Sequence, residues 1–245
     1  MHRAIRIAAV LVALLAATPA ESLLLPRSKK KAAVRKPARV SLDANVVNDP
    51  ATAPLVRRGA SGGGVLRAQV LLDRARFSPG EIDAAFGGNV EKAISGFQKA
   101  HGVEPTGVVD AATWKLLNAD ATPVLARYAI TAQDVAGPFQ PLPEDMMEKA
   151  ELPALGYSSG LEALSERFHT SPKLLSRLNP GSTFSRAGEE ILVPSVRYAA
   201  PPKAAKVVVD DSDRTVSAWD AGDKLIAQYP ATTGSEHDPL PIGSW

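Results

Sequence analysis

Five side chains sit where this sequence turns and could meet a ligand: Asp83, Phe86, Asn89, Gln98 and His101. A carboxylate, two amides, an imidazole and an aromatic ring suit a partner that offers amines, carboxylates and amides at the edge of a groove. Each polar one also has a local use. Asp83 can close its own turn, Asn89 can cap the helix that follows, and Gln98 and His101 can sit solvated at that helix's end. Metal chemistry is poorly provided for. The four His residues (His2, His101, His169, His237) are far apart, and none has a second His at ligand spacing. The chain has no Cys, which removes disulfides, thiolate ligands and a thiol nucleophile. Ser235 and Ser244 flank His237, but their spacing presents no triad. No metal or cofactor is expected, and a net charge of +2 gives no ground for a nucleic-acid partner.

The elements that must hold these side chains are short helices. Leu66 and Val70 lie one turn apart, and Asp73 continues that face. Ser78-Pro79-Gly80-Glu81 reads as the start of a short helical turn. Asn89 reads as the cap of a second helix, on which Val90, Ile94, Phe97 and His101 share a face until Gly102 stops it. Thr106-Gly107 is a turn, and Asp110 caps a third helix with Trp114 and Leu117 inward. Helices this short bury little area each, so Phe97 and Trp114 are expected in the core rather than stacked on a ligand.

These residues carry a resemblance. Leu66 to Val70, Asp83-Ala84-Ala85-Phe86-Gly87, Ala93-Ile94-Ser95-Gly96-Phe97-Gln98, Thr106-Gly107-Val108-Val109-Asp110 and Thr113-Trp114-Lys115-Leu116-Leu117 follow one another as the blocks of the type 1, three-helix peptidoglycan-binding domain do. The resemblance implies a wall-binding module over 65–118. Ala84 departs from the pattern, standing where that family usually has Gly. If the place needs a positive φ, Ala strains it by about 1 kcal/mol.

The flanks read as delivery and further modules. A positive start, an apolar run from Ile7 to Ala17 and the small residues near Ala20 make 1–20 a secretory signal peptide, so the protein is expected in the periplasm or outside the cell, at the wall. The stretch 21–64 reads as a basic, disordered linker that could touch anionic lipid surfaces. The Pro-rich 119–154 reads as a second linker, with Met146 and Met147 packed inward on a short helix. In 155–196, Ser159-Gly160-Leu161-Glu162 and Ser171-Pro172 start two helices, Asn179-Pro180-Gly181 ends the second, and Arg186 to Pro194 is a turn and a short strand. This order resembles a LysM module, a βααβ unit that binds N-acetylglucosamine polymers. Its first strand is not visible, and Gly156-Tyr157-Ser158-Ser159 stands in its place.

From 204 to 245 the pattern turns to strands. Val207-Val208-Val209, the alternation from Arg214 to Trp219, the turn Ala221-Gly222-Asp223-Lys224 and the return from Leu225 to Tyr229 make a meander whose edge is expected to be unpaired and unstable alone. With the Thr-Gly and Pro-x-Pro-x-Gly that follow, it resembles the opening of the L,D-transpeptidase catalytic domain. In that family a Cys thiolate in a Ser-His-Gly-Cys block attacks a wall tetrapeptide and passes the acyl group to a second stem. No position of this chain matches that block, so no catalytic residue is assigned, and the chain is expected to be the front part of such an enzyme, inactive as it stands. The fold class is therefore a multi-module α+β chain: a three-helix wall-binding domain, a LysM-like module and the first strands of an incomplete β-rich domain. The implied partner is peptidoglycan, both glycan strands and stem peptides. The alternatives are a non-catalytic wall-binding protein unrelated to transpeptidation and an accessory module of a wall hydrolase.

Overall fold

The structure, a computed structural model, describes residues 42–197, 200, 202–234 and 237. The signal peptide, the run of basic residues before Asp43, Ser235 and Ser244 lie outside the described residues. No helix among the described residues is long and apolar enough to cross a membrane.

The first module holds four helices: α1 (Ala44–Asn48), α2 (Gly63–Arg74), α3 (Gly88–Ala100) and α4 (Ala111–Leu117). Asp110 caps α4 through Thr113 N–H, and Phe97, Trp114 and Leu117 are buried, as their spacing predicts. Gly102, at φ +70°, follows α3 as a left-handed stop.

Three local expectations are corrected. Ser78-Pro79-Gly80 starts no helix: Gly80 turns away at φ +78°, and the Ser78 hydroxyl accepts from the Gly80 N–H instead of capping. The cap of α3 is Gly87, not Asn89, which lies inside the first turn. The third concerns the linker ending at 64, whose described part, 42–64, is folded onto the module. Val56 pairs with Val109 through two backbone bonds, the Trp114 indole donates to the Pro54 carbonyl at 2.7 Å, and α1 is held from below by Arg67. That guanidinium is buried and donates to the carbonyls of Val47 and Asn48 and to the Asn118 side chain. Burial of this guanidinium lowers its pKa, and the carbonyl and amide acceptors offset part of the desolvation cost that an unpaired charge would carry in full.

The second module is β1 (Leu125–Ala129), α5 (Met146–Ala150), α6 (Gly160–Arg167), α7 (Pro172–Leu178) and β2 (Glu190–Pro194). Ser159 and Ser171 cap α6 and α7 as expected. Asn179 ends α7 and clamps it to β2, donating to the carbonyls of Leu175 and Leu192 and accepting from Leu192 N–H. A strand not read from the sequence, β1, pairs antiparallel with β2, Leu125 opposite Pro194. It lies inside the stretch assigned to the Pro-rich linker, and its partner is about 65 residues on, so local pattern could not reveal it. Met146 and Met147 are 73% and 75% exposed, the reverse of the inward packing expected of them, because α5 buries no residue.

The last element is a meander of β3 (Lys206–Asp210), β4 (Thr215–Trp219) and β5 (Leu225–Pro230) in that order. It does not stand alone. Ser78 N–H donates to Gln228 O and Gln228 N–H to Arg76 O, so 76–78 lies along β5 as a short parallel partner. Leu225 joins the core of the first module. No described strand pairs with the outer edge of β3, where Val207 and Val209 are 61% and 57% exposed.

The seat of β5 on α3 is Gly96, where an added Cβ would lie 2.1 Å from the Gln228 side-chain oxygen and 3.1 Å from the Phe77 ring. Gly96→Leu is expected to destabilise by roughly 1–3 kcal/mol and to accelerate amide exchange across 225–229. Unchanged exchange there would show that the meander does not depend on this contact.

Candidate functional site

The five residues read from the sequence do not converge. Asp83, Phe86 and Asn89 lie before and at the start of α3, and Gln98 and His101 at its end. Twelve residues of helix put Asn89 and His101 about 18 Å apart along the axis. Asp83 closes its own turn, accepting from Ala85 N–H at 2.8 Å and from the Gln69 amide at 2.9 Å. The turn has the geometry that the departure from the family pattern brings into question: Ala84 sits at φ +63°. Gln69 holds it there, its carbonyl oxygen accepting from Ala84 N–H at 2.8 Å. Phe86 is half-buried against the core. Asn89 is exposed.

Gln98 is a correction. It is 1% exposed and spends its amide inside the module, donating to Val108 O and the Thr113 hydroxyl at 2.9 Å each and accepting from Gly107 N–H at 3.0 Å. It ties α3 to the 106–110 turn and is out of a ligand's reach. His101 is exposed at the C-cap, its Nδ1 2.8 Å from Phe97 O and its ring 4.1 Å from that of Phe97. A donor Nδ1–H there leaves Nε2 facing away from the bond.

Two of the concave places elsewhere border the first module. One, of about 260 Å³, lies where the two modules meet and is lined by Asp73, Glu81, Glu166 and His169 among others. His169 Nδ1 is 3.2 Å from the Asp73 carboxylate. The hydrogen bond with Asp73 raises the His169 pKa above its ordinary 6.5, against the opposing effect of burial. Burial, then repulsion from Asp83 and Glu166, pushes Glu81 upward. The other, of about 530 Å³, is a groove between α3 and the β3–β4–β5 meander, lined by Lys92, Lys99, Lys206, Asp210, Asp213 and Trp219 among others. None of its residues was assigned to a site in the sequence, although Ser95, Gly96, Val208, Trp219 and Leu225 were placed on helix and strands there. The outward stripe Lys92, Ser95-Gly96, Lys99 at spacings of three to four was the available signal, with a small residue at its middle. No group of three or more His, Asp or Glu among the described residues could hold a metal ion.

Residues 61–117 match the family described as "Putative peptidoglycan binding domain". A peptidoglycan-binding domain is thus found at α2–α4, and peptidoglycan binding is supported for it. No curated protein matches the chain.

Two outcomes are expected. Gln98→Leu strands the Gly107 N–H and is expected to lower stability by about 1–3 kcal/mol, read as a fall in the urea midpoint at constant slope. His169 gains its partner in the folded state, so its contribution is complete below pH 6.5 and is lost as pH rises through the raised folded value. Wild-type stability should therefore decline as pH rises above 6.5 relative to His169→Gln. Parallel profiles would remove His169 from the linkage.

Proposed function

We propose that this chain is a cell-wall anchoring protein of the periplasm or cell exterior, the peptidoglycan-binding portion of an L,D-transpeptidase that serves wall cross-linking and organisation. The observation that carries the reading is the peptidoglycan-binding match over 61–117. Two further features support it. The second module sets the capped helices α6 and α7 between the paired strands β1 and β2, as a LysM-like module does, with the short α5 added after β1, and Asn179 fastens α7 to the closing strand. The meander β3–β4–β5 leads into the Thr-Gly at Thr233-Gly234 that the resemblance to the transpeptidase domain rests on.

In this reading the first module grips wall stems and the second grips glycan, and together they raise the local concentration of wall polymer for chemistry nearby. The 245 residues hold no Cys, so the thiolate step of that chemistry is not assigned to them. The basic stretch before Asp43 adds a weak attraction to anionic surfaces.

The purified chain is expected to cosediment with purified sacculi and to show no turnover of a wall tetrapeptide above background. Failure to cosediment would overturn the wall-binding reading. Turnover would overturn the assignment of binding alone.

A further inference from the structure

The groove between α3 and the meander is built from two polar faces. On the sheet side, alternate residues point the same way: Lys206, Val208 and Asp210 from β3, and Thr215, Ser217 and Trp219 from β4. On the helix side stand Glu91, Lys92, Ser95, Gly96 and Lys99. The helix runs alongside the strands. Lys92 at its first turns donates to the Asp213 carbonyl, and Lys99 at its last turn lies 5.1 Å from the Trp219 ring.

The groove therefore has two unlike ends. At one, Lys99 and Lys206 both lie against Trp219, Lys206 at 5.2 Å. Lys99 forms no ion pair among the described residues, and the one made by Lys206, with Asp223, is exposed and weak. Trp219 also keeps an indole N–H that is buried without an acceptor among the described residues. At the other end stand Asp210 and Asp213, which accept hydrogen bonds from Ser212 and Thr215 but form no ion pair among the described residues. Arg58 and Glu91 neutralise each other. From Lys92 to Lys99 the helix rises about 10 Å, and from Lys206 to Asp210 the strand runs about 13 Å. An extended peptide of three or four residues has that length.

We infer that this groove is a binding site for a short zwitterionic peptide, its carboxylate at Lys99, Lys206 and Trp219 and its free amine at Asp210 and Asp213. The inference rests on the peptidoglycan reading for its choice of peptide: a wall stem tetrapeptide ends in a free carboxylate and carries a free amine on its diaminopimelyl side chain, its own N-terminus being held in amide linkage to the glycan. The volume of about 530 Å³ lies within the range of small-molecule sites. The face used is not the turn at Asp83 and Asn89, so the site adds to the module rather than restating it.

The test is calorimetric titration of the full chain with synthetic N-acetyl-L-Ala-γ-D-Glu-meso-diaminopimelyl-D-Ala, whose only free amine is that of the diaminopimelyl side chain, beside cosedimentation with sacculi. Wild type is expected to bind the tetrapeptide. Lys99→Glu and Asp210→Lys should each weaken it on the order of tenfold, with the loss growing smaller as salt is added to all samples. Lys206→Glu, on an exposed strand, provides a second reading of the cationic end should Lys99→Glu disturb α3. Binding unchanged in all three variants would overturn the groove. Retention on sacculi without any tetrapeptide binding would overturn the groove and leave the wall-binding reading standing. Loss of both in wild type would overturn both.

Discussion

The backbone of Ile82 is satisfied from outside its own helical module. Its N–H donates to His169 O at 2.8 Å, and its carbonyl accepts from Ser171 N–H at 3.0 Å and the Thr170 hydroxyl at 2.9 Å. The side chain is fully buried. Unpaired at such depth, these groups would cost about 1–3 kcal/mol apiece, so the first module reaches its full stability only with the second in place. Five residues earlier the same segment pairs with β5 through Phe77 and Gln228. One irregular stretch, 76–85, thus joins a helical module to a βααβ unit on one side and to a meander on the other.

That stretch carries the strain the sequence hints at. Ala84 takes a left-handed conformation that glycine would adopt freely. The conformation persists because Gln69 is buried beneath it and binds both sides of the turn, Asp83 with its amide N–H and Ala84 with its carbonyl. A local penalty of this kind survives where surrounding bonds over-determine the backbone.

Most of what is local was legible in the sequence. The caps Asp110, Ser159 and Ser171, the stop at Gly102, the buried Phe97 and Trp114 and the β4–β5 turn all follow from propensity and spacing. What was not legible depends on partners far along the chain. Strand β1 is defined by β2, the seat of β5 by Gly96, and the fold of 42–64 by Arg67 and Val109. Gln98 misleads for a related reason: an amide near a helix end reads as solvated until the 106–110 turn folds over it. Met146 and Met147 mislead differently, since a helix of five residues has too little surface to require a buried side at all. The candidate site was only partly legible. Its two faces come from segments more than a hundred residues apart, and Lys99 has meaning only once Trp219 lies beside it.

The edge strand β3 has a colloidal consequence. Three adjacent valines on an edge that no described strand covers form a template on which a like strand could add, the geometry that seeds ordered aggregates. Here the apolar run is bracketed by Lys206 on one side and Asp210 with Asp211 on the other. A second copy laid in register, parallel and edge to edge, would set like charge against like at both ends of the run. The two charged flanks thus act as gatekeepers against that arrangement, while leaving the valines free to meet a strand whose ends carry the opposite pattern.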